Sequence, residues 1–360
     1  YYNRHRVQYT HGGLSPFMQQ RSYPALLKAA GYYTGFTGKW GIAPPQNSPF
    51  DYWKNISANG PYRSNGKHIT DAQTEAAMDF LKRTPSNKPF LLIVAYKAPH
   101  IPFITQNRFN SLLTNTPIPR MPTDSLEGLS YLPALLKKSR GRRDYKKHRY
   151  LHDDHFQESV RNYYRLLAGI DESLGRILEM LQDKGLAAST AVLFTSDNGM
   201  MLGDHRMLGK WCMYEGSIRV PLMVKLPEAF YPATTPQAHS AMALNIDIAP
   251  TILSLASVKI PKVMQGKSLI QLAASPDMQW RDGFYYEHPY IKSGLMIGAQ
   301  GYREAEWKYS YYYTSNRHEE CLFNLKSDAS EMDNLAGNKQ FAAELKELRG
   351  KTRQAKEELS

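Results

Sequence analysis

Between Ala191 and Pro221 the chain reads AVLFTSDNGMMLGDHRMLGKWCMYEGSIRVP. A short apolar, β-branched run, Ala191 to Thr195, stops abruptly on Asp197, Asn198 and Gly199. A buried strand that ends on a carboxylate and an amide delivers two hard oxygen ligands to the carboxyl edge of a sheet. That edge is where open α/β sheets bind their ligands. Lys210 follows thirteen residues after Asp197, near enough in sequence to return to the same pocket. A pair of metal ligands with a lysine beside them suits chemistry on a small divalent oxyanion. The plainer alternative is a turn after a strand, since Asp-Asn-Gly is a common turn sequence.

Helix and strand signals alternate on both sides of this segment. Pro24 near its start and Gly31 at its end bracket a helix in YPALLKAAG, and YTGFTGK then reads as a strand finishing at Lys39. Residues 70–83 suit an amphipathic helix capped by Thr70 or Asp71. FLLIVAY is a near-continuous apolar run, typical of a strand covered on both faces, and ends close to His100. Residues 104–157 form a long excursion. A helix from about Glu158 to Asp183 follows, with Gly185 just past its end. VPLMVKLP is a further buried-strand candidate, and Asp247 to Ala256 a further helix. From residue 277 the pattern changes to aromatic-rich strands, FYYEHP, EWKYSYYYT and CLFNL, and then to a charged helix from Glu344. These signals predict an α/β fold with a mostly parallel sheet sandwiched by helices over residues 1–275. A smaller antiparallel α+β subdomain with a terminal helix is expected over 276–360.

A chain of 360 residues with 42% apolar content can bury one large core, and no run approaches the length of a membrane span. Two cysteines, Cys212 and Cys321, make no disulfide framework. The formal charge of +12 suits a polyanionic partner. Part of it crowds into Lys137, Lys138, Arg140, Arg142, Arg143, Lys146, Lys147 and Arg149. That run reads either as a solvated face or as an insert that steers anionic chains. No nucleic-acid-binding signature accompanies it. His152, Asp153, Asp154 and His155 read either as a metal cluster or as a capping run ahead of a helix.

The Asp197–Lys210 segment resembles the metal and lysine motif of the type I sulfatases, in the alkaline phosphatase superfamily. Further stretches match in the family's order: GYYTGFTGKWG (Gly31 to Gly41), KAPHIPF (Lys97 to Phe103), NYYRLLAGIDESLGRIL (Asn162 to Leu178), ALNIDIAPTIL (Ala243 to Leu253) and LFNLKSDASEMDNLA (Leu322 to Ala336). The resemblance implies an alkaline-phosphatase-like fold and hydrolysis of sulfate esters, with a sulfated saccharide as substrate. Asp197 and Asn198 would be metal ligands, calcium being favoured over magnesium. Lys39 and Lys210 would contact the sulfate oxygens, and His100 would bind the sulfate and help protonate the leaving alcohol. His205 would line the pocket with Asp204 orienting it, while Glu215 and Arg219 hold the loop after Lys210. Glu287 and His288 read either as sugar contacts at the pocket mouth or as a satisfied strand-end pair. A periplasmic or secreted location is implied.

Two departures stand out. The family's aspartate pair and its C/S-x-P-S/A-R motif, source of the formylglycine nucleophile, are absent. YYNRHRV resembles the segment that normally follows them, so the nucleophile is expected upstream of Tyr1, with the present sequence a fragment inactive by itself. Gly41 stands where the family's GKWH places a histidine, and His5, His11 and His205 are the alternatives for its role. The rival readings are a phosphodiesterase or phosphonate hydrolase of the same superfamily, and a non-catalytic sulfoglycan-binding relative.

Overall fold

The structure, a computed structural model, describes residues 12–45, 47–56, 60–230, 238–275, 278–289 and 295–358. His5, His11 and the YYNRHRV segment lie outside the described residues. Helix α1 (Tyr23–Ala29) carries Pro24 in its first turn and leads through Gly31, at φ 92°, into strand β1 (Tyr33–Gly38). Strands β2 (Tyr52–Asn55) and β3 (Phe90–Ala95) flank β1, both parallel to it, from Tyr33 opposite Phe90 to Gly38 opposite Ala95. All three carboxyl ends therefore reach one edge.

Helix α2 (Ile69–Arg83) buries Ile69, Gln73, Ala77 and Phe80, spaced for one helical face. His68 caps this helix, accepting from the Thr70 amide through Nδ1 at 3.2 Å, a role the sequence reading gave to Thr70 or Asp71. Phe80 stacks on Tyr33 at 5.1 Å, and its ring fills the space a side chain at Gly35 would need. After helix α3 (Arg140–Lys147), the long helix α4 (Asp153–Asp183) packs beside α2, with the Thr74 and Ser173 hydroxyls 2.5 Å apart. Helix α4 starts five residues before the expected Glu158, because Asp153 and Asp154 favour its positive first turn. Helix α5 (Ile248–Leu255) joins α1 on the other side of the sheet. The expected sandwich of a parallel sheet between helices is thus present.

Strands β4 (Val192–Thr195) and β5 (Leu222–Lys225) pair antiparallel in a ladder of their own. Among the described residues β3 pairs only with β1 and β4 only with β5, so the apolar side chains of both are half-buried rather than covered. In β5 burial alternates, leaving Met223 exposed, which corrects the expectation of a fully buried strand. The C-terminal sheet is an antiparallel meander of β6 (Gly283–His288), β7 (Gly298–Glu304), β8 (Trp307–Tyr313) and β9 (His318–Asn324), closed by helix α6 (Ala342–Glu358). No helix among the described residues is long and apolar enough to cross a membrane.

Asp247, fully buried, accepts two bonds from Arg281 at 2.5 and 2.6 Å and two more from the Leu244 and Lys267 amides. The pair ties the start of α5 to the entry of the C-terminal sheet. Asp247→Ala strands a guanidinium that is 11% exposed, and should cost about 3–5 kcal/mol in urea unfolding. A loss under about 1 kcal/mol would mean the pair does not brace this junction.

Candidate functional site

The site is set by the register at the sheet edge. The Ala95 carbonyl accepts from the Lys39 amide at 2.7 Å and from Gln73 Nε2 at 3.2 Å. Gly38 adopts φ 112°, and a Cβ there would lie 2.0 Å from that oxygen. Only glycine lets the chain pass so close and leave the strand in this direction. Lys39 is thereby delivered to the edge directly opposite the end of β3.

Beyond β3 the chain carries Lys97 and His100 to the same edge. Lys97 is buried, donates to the Gly60 carbonyl and lies 4.8 Å from the Tyr62 ring. Tyr62 in turn donates to the His100 carbonyl at 2.5 Å, fixing the loop. His100 Nδ1 sits 2.6 Å from the Ile101 carbonyl, which can only accept, so Nδ1 carries the proton. In the neutral ring Nε2 is then bare and can donate to an anion only after protonation. Burial holds the His100 pKa below its ordinary 6.5; the Ile101 bond opposes this, and Lys210, Lys39 and Lys97 reinforce it.

The end of β4 forms the third wall. Ser196 Oγ donates to the Asn198 carbonyl at 2.8 Å, and Asn245 Nδ2 holds the Ser196 and Asp197 carbonyls. Gly199 donates to the Ser217 carbonyl, with the Gly216 carbonyl 2.4 Å from where its Cβ would be. Asn198 spends its amide nitrogen on the Gly199 carbonyl, so its Oδ1 and the exposed Asp197 carboxylate present two hard oxygens together. Their chemistry fits calcium or magnesium, which take six or more such donors. Among the described residues no group of three or more His, Cys, Asp or Glu gathers, so further ligands would be needed.

Lys210 comes from a loop with several left-handed residues: Gly203, His205, Arg206, Gly209 and Trp211. Its pKa is lowered by burial; Asp197 opposes this, and Lys39 and Arg140 add to it. Lys39, Lys97, His100, Lys210 and Asp197 thus share one electrostatic neighbourhood, with cations in excess. The loop is braced from behind. Met213 donates to Tyr312 Oη at 3.2 Å, and Glu215 meets Lys308 at 3.1 Å and Arg303 at 3.2 Å.

Other expected residues fall elsewhere. His205 is 3% exposed, against the Tyr214 ring and the Gly128 carbonyl, and its charged neighbours are Asp204 and Asp328 rather than the lysines. It is a core side chain, not a lining one. Asp204 accepts from the Leu202 amide at 3.2 Å, a backbone role rather than an orienting one. Glu215 does brace the loop, whereas Arg219 is exposed. Glu287 and His288 end β6, where Tyr285 Oη donates to Glu287 Oε2 at 3.4 Å. Burial pushes His288 down to about 4. His152, Asp153, Asp154 and His155 are exposed around the start of α4, where Asp153 pairs with Arg120 at 3.1 Å and the N-cap His152 makes no side-chain capping bond. Sequence reasoning passed over Lys97, although it lies only three residues before His100. It also left Arg140 undistinguished within the basic run.

Comparison with known proteins places this geometry in context. A sulfatase family model matches residues 2–258. The model for the C-terminal region of N-sulphoglucosamine sulphohydrolase matches residues 203–358. An N-acetylglucosamine-6-O-sulfatase of Bacteroides thetaiotaomicron is 29% identical over 91% of this chain and 71% of its own length. An ulvan-active sulfatase of Formosa agariphila is 27% identical, covering 91% of this chain and 64% of its own length. A solved structure described as in complex with its substrate, D-glucosamine-2-N,6-O-disulfate, superposes with a TM-score of 0.80. It is 27% identical and covers 94% of this chain and 82% of that one. The chain therefore spans about two thirds of the length of the two curated relatives.

Because Nε2 of neutral His100 has no proton to give, inorganic sulfate should bind with proton uptake. An anion raises the imidazole pKa from its depressed value. Affinity is then fully expressed below the depressed pKa of the free site and is lost as pH rises from there through the raised pKa of the complex. Calorimetry from about pH 8 down to about pH 6 should show tightening and a buffer-dependent enthalpy. A pH-independent affinity would show that His100 does not answer the anion.

Proposed function

The chain belongs to the sulfatase family, and from that premise we propose that the intact protein hydrolyses sulfate esters on a sulfated carbohydrate. The observation that carries this reading is the gathering of Lys39, Lys97 and His100 at the carboxyl ends of β1 and β3, with Lys210 acting on His100 and Asp197 acting on Lys210. Partly desolvated cations in excess call for an anion, and a sulfate ester supplies one whose charge shifts to the leaving oxygen during cleavage. Lys39 and Lys210 hold the sulfate oxygens and stabilise that charge. His100, protonated when the anion arrives, donates through Nε2 to the sulfate and then to the departing alcohol.

Asp197 and Asn198 would hold part of the shell of a divalent cation, calcium first and magnesium second. When bound, such an ion supplies Lewis-acid charge and lowers the pKa of a coordinated hydroxyl. The sequence carries no C/S-x-P-S/A-R segment, so the nucleophile, formylglycine by family resemblance, is assigned to the intact protein. The same reading places the protein in the periplasm or outside the cell, where sulfated polysaccharides are met.

Gly41 stands where the family places a histidine tied to the second half of the reaction. It is exposed, and a Cβ there would meet nothing within 4 Å among the described residues. Breakdown of the sulfated intermediate is where such a residue would act.

In the intact protein, sulfate release from N-acetylglucosamine-6-sulfate should fall at least about 100-fold on Lys210→Ala. Phosphodiester turnover exceeding sulfate release would favour the phosphonate hydrolase alternative. Tight binding of sulfoglycans with no release would favour a binding protein. Gly41→His should leave thermal stability within about 0.5 kcal/mol and raise the rate after the first turnover. An unchanged steady-state rate would show that intermediate breakdown does not need that position.

A further inference from the structure

Arg140 opens α3, and its guanidinium lies 4.8 Å from the centre of the Trp211 ring. Lys210 lies 5.8 Å from the same ring, so the two cations are no further apart than the sum of those distances. Arg140 is also one of the charges pressing on Lys210. Among the described residues its side chain has one hydrogen-bond partner, Asp144, reached through Nε at 3.4 Å. The side chain is 38% exposed, and its Nη1 and Nη2 groups have no protein acceptor among the described residues. A planar fork held on an indole face with its terminal donors open matches the geometry of an oxyanion.

Trp211 adopts φ 73°, a conformation that bulky residues rarely enter. Strain of this kind persists where surrounding structure holds a residue in place, often at a functional site. Here the ring lies within reach of both Lys210 and Arg140. The other members of the basic run behave differently. Lys137, Lys138, Arg143, Lys146, Lys147 and Arg149 are exposed, while buried Arg142 donates to the Arg206 carbonyl at 2.9 Å and props the loop. Arg140 alone among them packs on the ring that also carries Lys210.

We propose that Arg140, seated on Trp211, is a second oxyanion subsite beside the sulfate-holding lysines, selecting sugars with a further sulfate or carboxylate near the reacting group. The inference rests on the sulfate-ester reading above and deepens it. Because Lys210 and Trp211 are adjacent in the chain, both anions would be read from one loop.

The test compares intact wild type with Arg140→Gln and Arg140→Lys on three sugars. These are glucosamine-6-O-sulfate, glucosamine-2-N,6-O-disulfate, and glucosamine-6-O-sulfate joined to a uronic acid. For the sugar that supplies the second anion, Arg140→Gln should lower kcat/KM at least tenfold more than for the monosulfated sugar. Arg140→Lys should recover part of that difference. The arm that responds identifies the second anion as sulfate or carboxylate. Equal losses on all three sugars would mark a structural role and overturn the proposal, as would unchanged preferences. Should wild type release sulfate from none of them, the sulfatase reading fails. Calorimetric affinities of the same sugars then decide the subsite by the same tenfold criterion.

Discussion

The carbonyl of Ala95 is the point from which the site takes its shape. It receives the Lys39 amide and the Gln73 side chain, and the Gly38 backbone passes against it. These contacts lock the carboxyl ends of β1 and β3 in register and attach the start of α2 to them. Lys39 leaves one strand and Lys97 and His100 leave the other, so their spacing is inherited from a backbone contact rather than from flexible side chains. A side chain at residue 38 would push that carbonyl away and separate the cations it organises.

The clustering of those cations has an electrostatic consequence. Lys97 and Lys210 are lowered in pKa chiefly by burial, and neighbouring cations reinforce the effect. Taking like charges out of water together is unfavourable until an anion joins them. The folded chain therefore holds the site in a state that an oxyanion relieves, and binding affinity draws on that relief. His100 extends the logic to a proton, since its Nδ1 is committed to the Ile101 carbonyl and its Nε2 can act as a donor only when the ring is charged.

Much of this was legible in the sequence because the strand ends carry the motifs. The run Ala191–Thr195 stopping on Asp197 and Asn198, and YTGFTGK stopping on Lys39, are local strand signals with a clear break. Helices α2 and α4 followed from apolar spacing for the same reason. What was not legible depends on tertiary partners. The antiparallel pairing of β4 with β5 and the half-exposure of β3 are decided by which strand lies alongside, which composition does not encode. His205 reads as a pocket residue by motif, yet its left-handed backbone turns it toward Tyr214 and the Gly128 carbonyl. Arg140 was indistinguishable from its basic neighbours until the Trp211 ring was seen beneath it.

The bracing of Glu215 by Lys308 and Arg303, with Met213 held on Tyr312, gives the tyrosine-rich sheet a part in a reaction it does not touch. One hydrophobic cluster runs from Leu132 and Leu135 through Met207 and Met213 to Ile297 and Phe323. The two family models overlap across residues 203–258, the stretch that contains this loop. The C-terminal layer therefore works as an alignment fixture for Lys210. Because Lys308 is fully buried between Glu215 and Glu331, removing either carboxylate would be felt by the fold and by the seat of Lys210 together, and that couples the two halves of the molecule.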